Sequence, residues 1–564
     1  MSKKVQDIST LFLSLGILIL LNVIGAFLFQ RFDLTADNRY SLTEDTQELV
    51  SKLDDIVHFK VYLDGNLPPS FDRLRESTKE MLDELRAYQG QNVHYEFIDP
   101  SAAEKPKAIY RKLNKKGLRR MILRIKKKGA RGEKIVYPGA VVRYQGKEVV
   151  MNLLDTRNSQ PTPKTINKAI GNLEYRISHT IRKLKRGKKP KVAFIHGHGE
   201  LGKRQVYDAV REMKSSYSVS RVKIDGQLDA LKGKDAAIIA KPDSSFSDKD
   251  KFIIDQFIMN GGKVMWLVDP MQVRMDSLEK RSTIMAVPKD LRISEQIFSY
   301  GVRLNKNLIL DQNCAPIGIV TDEFRGRPRI ERHDWYYYPT ASANKIQHPV
   351  SNNIDPVRFR FVSSLDTVSR KEVDHKVLLN SSDQVRVLPS PTRVSMNIIS
   401  IDPAFDRSER SHVPMAVMLK GRFRSFFKGR IPPRIRKSKE IAFRTKSKKT
   451  RMLVAGDGDL IRNQVRKNGK VLPLGFEKYS KGRRNKVKYG NKEFILNSLE
   501  YLLTQSDDAV LRGGLTLRKL DKSKIEGDNR YYWQVVNTAV PIAIVIVFGV
   551  LRHDFRVRRY GASF

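Results

Sequence analysis

Two long uncharged runs stand out in the pattern of hydrophobic and polar positions, one near each end of the chain. The first covers residues 8–30, and the second covers residues 535–551, shortly after the aromatic residues Tyr531, Tyr532 and Trp533. About 20 apolar residues are enough to cross the hydrocarbon core of a bilayer, and aromatic side chains collect at its interfaces. The sequence therefore predicts transmembrane helices at 8–30 and 531–551.

The residues that flank the two runs predict their orientation. Four arginines follow the second run between positions 552 and 559, and such basic flanks favour the cytoplasmic side. Both tails, 1–7 and 552–564, are then expected in the cytoplasm, with residues 31–530 on the periplasmic side of the inner membrane. A cleaved signal peptide is the alternative for the first run, but the run is longer than a usual signal-peptide core and no A-x-A site follows it.

Between the runs, residues 31–186 predict a small α/β unit with a helical connection. The stretches "IVHFKVYLDG" and "NVHYEFIDP" alternate like strands and stop at Gly or Pro. The segment between them repeats at helical spacing and places six apolar side chains on one face: Phe71, Leu74, Met81, Leu82, Leu85 and Tyr88. The resulting order is thioredoxin-like, but the redox cysteines are missing, so this unit is predicted to bind or pack rather than exchange disulfides.

Residues 187–312 alternate between apolar strands and amphipathic helices. Strands are predicted from "KVAFI", "SVSRVKI", "AAIIAKP" and "KVMWLVD", and helices at 203–214 and 248–259, the second closed by Gly261 and Gly262. This alternation predicts a doubly wound parallel sheet, which the strand "NLILD" continues to Asp311. A β-rich or irregular basic region is expected over 313–450, and a C-terminal α/β part over 451–530.

Composition adds a strong positive field. The net charge is +44, from 105 Lys and Arg against 61 Asp and Glu, and residues 105–134 and 420–451 each hold 14 basic side chains and one acidic side chain. Such a field favours anionic partners, including envelope ligands and lipid headgroups, although a solvated basic surface is an equal alternative. Nucleic acid is not expected for a periplasmic region without a nucleic-acid motif. Cys314 is the only cysteine, which excludes an intrachain disulfide.

The stretch "HGHGE" at positions 196–200 is the strongest candidate site, because it follows a predicted strand directly. GxxxxGK over 197–203 resembles a P-loop, but Arg204 stands where a hydroxyl should bind Mg²⁺. His196, His198 and Glu200 could together bind zinc. A strand-to-helix turn is the simplest interpretation, because Gly197 and Gly199 permit a tight backbone and Glu200 suits a helix N-terminus. We therefore expect no metal, and a contact of these five residues with a ligand or partner stays open, since ligands bind at the carboxyl ends of such strands.

Several stretches in order resemble a known family. They are "RFDLTADNRYSLTEDT", "GHGE", "MNGGKVMWLVD", "YGVRLNKNLILDQNCAPI", "HPVSNNIDPV", "GDGDLIRNQV" with "PLGF", "NKEFILNSLEYL" and "LRKLDKSKI". Their order, over almost the whole chain, is similar to the GldG family, the auxiliary proteins of gliding-motility-associated ABC transporters. No single stretch is specific, whereas the ordered set is.

The resemblance implies an inner-membrane, substrate-binding component of an ABC transporter in gliding motility, with the permease and the ATPase on separate chains. It also implies a class I glutamine amidotransferase-like fold for the region around 190–311. The catalytic cysteine of that fold lies on a nucleophile elbow, and Cys314 in "DQNCAPI" lacks the G-x-C-x-G elbow, so that activity is expected to be absent. The family supplies no catalytic residues and no cofactor.

Two functions follow from these observations. The first is a non-enzymatic accessory subunit that is anchored in the membrane at both ends beside a permease. The alternative is an extracytoplasmic hydrolase of envelope glycan or peptide on an amidotransferase-like scaffold. An organised Ser-His-carboxylate triad near 196–200 would favour the alternative.

Overall fold

The protein is a mixed α/β chain with several sheets. The computed structural model describes residues 9, 11–20, 42–89, 92–127, 130–154, 161–324, 327–342, 348–352, 354–401, 403–405, 411–432, 442–466, 468–476, 489–504 and 528–560. It forms two compact units, Met1–Gly514 and Leu515–Phe564. The first helix, α1, is apolar and covers Leu11–Leu20. The other residues of the predicted span 8–30, apart from residue 9, lie outside the described part of the chain.

A four-stranded sheet and its helices build the amino-terminal part of the first unit. Its elements are α2 (Glu44–Ser51), β1 (Val57–Val61), α3 (Pro69–Gln89), β2 (Val93–Phe97), α4 (Pro106–Lys116), β3 (Met121–Lys127), β4 (Ala130–Val136), β5 (Gly139–Tyr144), β6 (Lys147–Asn152), α5 (Pro163–Gly171) and α6 (Leu173–Lys185). The sheet order is β2-β1-β5-β6, and β3 and β4 form a separate hairpin. β1 is parallel to β2 and antiparallel to β5, which pairs antiparallel with β6.

Helix α3 shows how the apolar pattern determines packing. Phe71, Leu74, Leu82 and Leu85 are all buried in the core of this part, as the helical spacing predicted. Of the other two residues on this face, Met81 is partly buried and Tyr88 is 42% exposed one residue before the end of the helix. An apolar stripe is buried only where a neighbouring element covers it, and the last turn of a helix often extends past its partner.

The central sheet of the first unit begins with strands and helices that alternate along the chain. They are β7 (Lys191–His196), α7 (Tyr207–Met213), β8 (Ser218–Lys223), β9 (Ala236–Ala240), α8 (Asp248–Met259) and β10 (Lys263–Leu267). The sequence predicted the bounds of α8, and Ser247 caps this helix by accepting a hydrogen bond from the backbone N–H of Asp250. Gly261, with φ of 94°, lies just past the end of α8, where a left-handed residue reverses the chain.

Short strands dominate the rest of the first unit. The elements are β11 (Met271–Gln272), α9 (Met275–Arg281), β12 (Thr283–Pro288), α10 (Ser294–Tyr300), β13 (Val302–Leu304), β14 (Asn307–Asp311), β15 (Cys314–Phe324), β16 (Arg327–Ala341), β17 (Val357–Arg358), β18 (Leu365–Thr367), β19 (Val373–Asn380), β20 (Val385–Pro389), β21 (Thr392–Ser395), β22 (Pro414–Gly421), β23 (Thr450–Ala455) and α11 (Asn491–Leu503). The strand "NLILD", which is β14, does not continue the central sheet but pairs antiparallel with β20. Adjacent apolar strands carry no local signal of which sheet they join.

The central sheet has seven strands in the order β19-β22-β23-β10-β9-β7-β8. β8, β7, β9, β10 and β23 are parallel, and β22 and β19 add antiparallel strands at one end. Every residue of β9 and β23 is buried, because a parallel strand in the interior of a sheet is covered on both faces. Strand β23 enters the sheet next to β10 although about 180 residues separate them in the chain.

The second unit contains one long helix, α12 (Asp528–Tyr560), with Pro541 in its interior. The segment Tyr531–Arg558 is apolar enough to cross a membrane, the one segment of the described residues that is both long and apolar enough, whereas α1 is shorter. These two helices indicate that the protein associates with a membrane. The helix continues through Arg552 to Arg558 of the predicted cytoplasmic tail.

Candidate functional site at the carboxyl edge of the central sheet

The carboxyl ends of the parallel strands form the candidate site. The chain runs from β7 to β8 on one side and then crosses to β9 on the other side of β7. The order of strands reverses at this point, and the loops that follow β7 and β9 therefore separate and leave a crevice. The predicted stretch 196–200 begins at the last residue of β7 and lies at this crevice.

The loop after β7 turns tightly and is held by hydrogen bonds to the loop after β9. Gly197 and Gly199 have φ angles of 127° and 77°, a range that side chains rarely adopt. A Cβ added to Gly199 would lie 2.9 Å from the Cβ of Asp243, in the loop that follows β9. The backbone N–H groups of Asp243 and Ser244 donate to the carbonyl of His198 at 2.8 and 3.0 Å, so the two loops are joined by hydrogen bonds.

His198 is buried between two carboxylates. Its Nδ1 lies 3.2 Å from Glu200 Oε1, its Nε2 lies 3.1 Å from Asp250 Oδ2, and its ring stacks on Phe246 with the centroids 3.8 Å apart. Burial lowers the pKa of His198, but the hydrogen bonds and charges of Glu200 and Asp250 outweigh burial and raise it. The same contacts lower the pKa values of Glu200 and Asp250 against the opposing effect of burial. The three groups therefore form a closed ionic bridge from the β7 loop to the first turn of α8.

A second buried cluster lies at the ends of β9, β10 and β23. Lys241 directly follows β9, and its Nζ lies 2.6 Å from an oxygen of Asp269 and 2.6 Å from an oxygen of Asp459. Asp457 accepts hydrogen bonds from the backbone N–H groups of Arg360 at 2.7 Å and Asp459 at 2.6 Å. Arg462 also contacts Asp459, at 3.2 Å. Three loops that are distant in the sequence thus share one network of opposite charges.

The charges of this second cluster depend on each other. Burial lowers the pKa of Lys241, but the attraction of Asp269, Asp459 and Asp457 outweighs burial and raises it. Burial raises the pKa of Asp459, and the cations Lys241, Arg462 and Arg360 reverse this effect and lower it. For Asp457, burial and the negative charges of Asp269 and Asp459 raise the pKa. The carboxylates therefore stabilise the charged form of Lys241, and the charge of Lys241 stabilises the ionised form of Asp459.

The geometry also bears on metal binding. Oxygens of Asp269, Asp457 and Asp459 lie within 4.8 Å of one another, as ligands of a cation would. The ammonium group of Lys241 already contacts two of these residues and supplies the positive charge that a cation would bring. The zinc set considered from the sequence was different: Nδ1 and Nε2 of His198 both face carboxylates, and His196 is the partly buried last residue of β7.

A cleft of about 630 Å³ opens beside the second cluster, and Lys241 and Asp459 line it. Of the five residues proposed from the sequence, Gly199 lines it, and His196, Gly197, His198 and Glu200 are not among its lining residues. Four cations and four acids face the cleft: Lys241, Arg274, Arg360, Arg462, Asp243, Asp276, Glu279 and Asp459. Sequence reasoning missed Lys241, Asp269, Asp457 and Asp459, although each lies within four residues of the end of a buried strand.

Cys314, at the start of β15, is not among the residues that line this cleft. Burial and the nearby charge of Asp334 raise the pKa of its thiol to about 12. A thiol needs to lose its proton to act as a nucleophile, and this environment opposes that loss.

Comparisons with known proteins place the chain in a family. The family described as an ABC-type uncharacterized transport system matches residues 189–498, and a domain family of unknown function matches residues 36–143. An uncharacterized protein of Borreliella burgdorferi is 21% identical over 98% of both chains. A solved structure, the mmIFT52 N-terminal domain, is 13% identical with a TM-score of 0.31, and the match covers 57% of this chain and all of that domain. The first of these families spans more than half of the chain, and the protein therefore belongs to the auxiliary proteins of this ABC-type transport system.

Proposed function

We propose that the protein is a non-enzymatic accessory subunit of an ABC transporter, anchored in the membrane and working with a separate permease and a separate ATPase. Family membership supports the link to ABC transport. The uncharged runs 8–30 and 535–551 support lateral docking on a permease, because a pore or substrate pathway normally carries an ionisable group within the membrane. The order of stretches resembling the GldG family supports gliding motility as the process.

The observation that carries the non-enzymatic role is the bonding of His198. Both of its ring nitrogens face carboxylates, so neither is left to take a proton from an attacking hydroxyl, as a Ser-His-carboxylate mechanism requires. The raised pKa of Cys314 argues in the same direction. The cleft beside Gly199 instead offers paired charges and polar backbone, which suit contact with a ligand or with a segment of a partner.

The topology of the sheets supports the finer fold assignments. The order β2-β1-β5-β6, with β1 and β2 parallel, is the arrangement expected for a thioredoxin-like unit within residues 31–186. The parallel order β8-β7-β9-β10-β23 is that of a flavodoxin-like doubly wound sheet, which suits an amidotransferase-like domain. In this proposal the domain at 187–312 takes its fifth parallel strand from the part that starts at 451, across the basic region 313–450.

The proposed topology is two-pass, with both termini in the cytoplasm and the large domain in the periplasm. Its support is the arginine-rich flank after residue 551. Reporter fusions at residue 300 and at the C-terminus should report opposite compartments. The same compartment for both fusions would exclude the two-pass arrangement.

Co-purification tests the function itself. The full-length protein, extracted from its own membranes in mild detergent, should bring with it a multi-span membrane protein and a P-loop ATPase. Exchange of 8–30 and 535–551 for unrelated apolar helices of equal length should remove both partners while the large domain stays folded. If the partners remain, docking through the membrane helices is wrong, and if the native protein brings no such partners, the accessory role is wrong.

A further inference from the structure

The amino edge of the central sheet carries a second cleft, of about 650 Å³. It lies between α2, the end of α6, the starts of β7 and β10, and the end of α11. Eight of its lining residues are Lys or Arg, and two, Glu48 and Asp235, are acidic. This basic cleft thus has a large excess of positive charge.

The two acids do not neutralise the cations at the end of α6. Glu48 forms an ion pair with Lys52 one turn away, and Asp235 accepts a hydrogen bond from the backbone N–H of Lys191 at 2.7 Å. Nζ of Lys185 donates to the carbonyl of Lys52 at 2.5 Å, and Nζ of Lys189 donates to the carbonyl of Lys214 at 3.0 Å. A carbonyl satisfies a hydrogen bond but carries no net charge. Lys185 also lowers the pKa of the nearby Asp54, and Arg186 forms an ion pair with Glu500 at 3.3 Å. The excess charge therefore rests mainly on Lys188 and Lys189, just after α6.

Two lysines at this edge show the effect of the crowding. Burial lowers the pKa of Lys183, and the charge of Lys189 lowers it further while Glu500 opposes the effect. Burial lowers the pKa of Lys263, and Arg451 adds to the effect while Asp235 opposes it. An anion bound in the cleft would relieve this repulsion.

The position of the cleft along the chain indicates where such an anion is found. Leu42 begins the fold, 12 residues after the uncharged run 8–30, and 12 residues span at most about 43 Å when fully extended. Helix α2, which starts at Glu44, lines the cleft, and so does Thr504, the last described residue before α12. The first helix described after α1 and the last residue described before α12 therefore both line the basic cleft.

We propose that the basic cleft binds the anionic phospholipid headgroups of the membrane that holds the terminal segments. Phosphate oxygens accept charge-assisted hydrogen bonds from Lys and Arg, and basic clusters next to membrane segments are attracted to anionic lipid surfaces. The proposal rests on the membrane anchoring stated above and is independent of the transport partners.

Native mass spectrometry of the full-length protein in non-ionic detergent tests this assignment. Phosphatidylglycerol and phosphatidylcholine are titrated as anionic and zwitterionic probes. In the triple variant Lys185→Gln, Lys188→Gln, Lys189→Gln, phosphatidylglycerol binding should weaken by about tenfold or more. Phosphatidylcholine binding should be weak and the same in both proteins.

The matched control removes equal charge from a different surface, which is formed by residues of α4. Its substitutions are Arg111→Gln, Lys112→Gln and Lys115→Gln. It should change phosphatidylglycerol binding by less than about twofold, because charges far from a site are screened. Equal losses in the two triple variants would overturn the proposal, since any basic surface would then suffice. Displacement of the lipid by inorganic phosphate would overturn it in favour of a free phosphate ligand.

A single variant guards against misfolding of the triple variant. Lys188 is exposed and forms no ion pair with another residue that the structure describes, so Lys188→Glu should leave the thermal transition unchanged. It should still weaken phosphatidylglycerol binding several-fold by reversing one charge. Unchanged lipid binding in this variant would contradict the assignment, whatever happens to the partners in co-purification.

Discussion

The two edges of the central sheet use charge in opposite ways. At the carboxyl edge, Lys241 lies among Asp269, Asp457 and Asp459, and His198 lies between Glu200 and Asp250. At the amino edge, lysines and arginines line a cleft with few carboxylates. Buried and paired charges stabilise a fold only while all partners are present, whereas exposed surface charges contribute little to stability and remain available for binding. The difference suggests that one edge fixes the loops and the other edge recognises an anion.

Replacement of Lys241, at the carboxyl edge, should have the largest effect on stability. Lys241→Met leaves the carboxylates of Asp269 and Asp459 buried without their cation, and should lower the free energy of unfolding by about 3–5 kcal/mol. The control Lys223→Met breaks an ion pair with Asp225 in which the side chains are 57% and 62% exposed, and should cost less than about 1 kcal/mol. Denaturant titration of the full-length protein in detergent measures both, and equal effects would contradict the comparison.

Two glycines, one at each edge of the sheet, allow the same comparison for the backbone. Gly199 lines the carboxyl-edge cleft and Gly233 lines the basic cleft, with φ angles of 77° and 70°. Alanine in a left-handed conformation costs about 1 kcal/mol at either site. Gly199→Ala should cost about 1–3 kcal/mol more, because its Cβ would meet Asp243, while nothing lies within 4 Å at Gly233. Equal melting temperatures of the two variants would show that the loops at Gly199 can separate.

The ionic bridge of His198 predicts a dependence on pH. Its pKa is raised in the folded state, so the contribution to stability is fully present below the ordinary histidine pKa of 6.5 and is lost as pH rises through the folded-state pKa. His198→Gln should therefore cost about 1–3 kcal/mol near pH 6 and less at higher pH. Unfolding titrations of both proteins at several pH values test this, and a difference that grows with pH would mean that His198 is neutral in the fold.

The smallest effect is expected at the amino edge. Lys263 begins β10, and its lowered pKa shows that the fold disfavours its charge. Lys263→Met should leave the free energy of unfolding unchanged or raise it by up to about 1 kcal/mol. The measurement is the same titration as for Lys241→Met, and a large loss of stability at Lys263 would remove the distinction between the two edges.

The sequence predicted local elements better than the contacts that join them. Helix α8 carries a serine cap, an apolar face and a glycine after its end, and all of these signals are local. The two clusters at the carboxyl edge depend on long-range pairing instead. Asp250 reaches His198 across 52 positions and Asp459 reaches Lys241 across 218 positions, and no periodicity connects such residues. The one available signal was that Lys241, Asp269, Asp457 and Asp459 each lie shortly after the end of a buried strand.

The long separation of β10 and β23 along the chain has a consequence for folding during synthesis. β10 has β23 as its neighbour on one side, yet ribosomes need roughly 10–40 s to add the intervening 180 residues. Until then the open edge of β10 exposes unpaired backbone groups that can pair with another chain. Assembly of the sheet must therefore wait until β23 has been synthesised, and we expect the nascent protein to depend on chaperones that shield this edge.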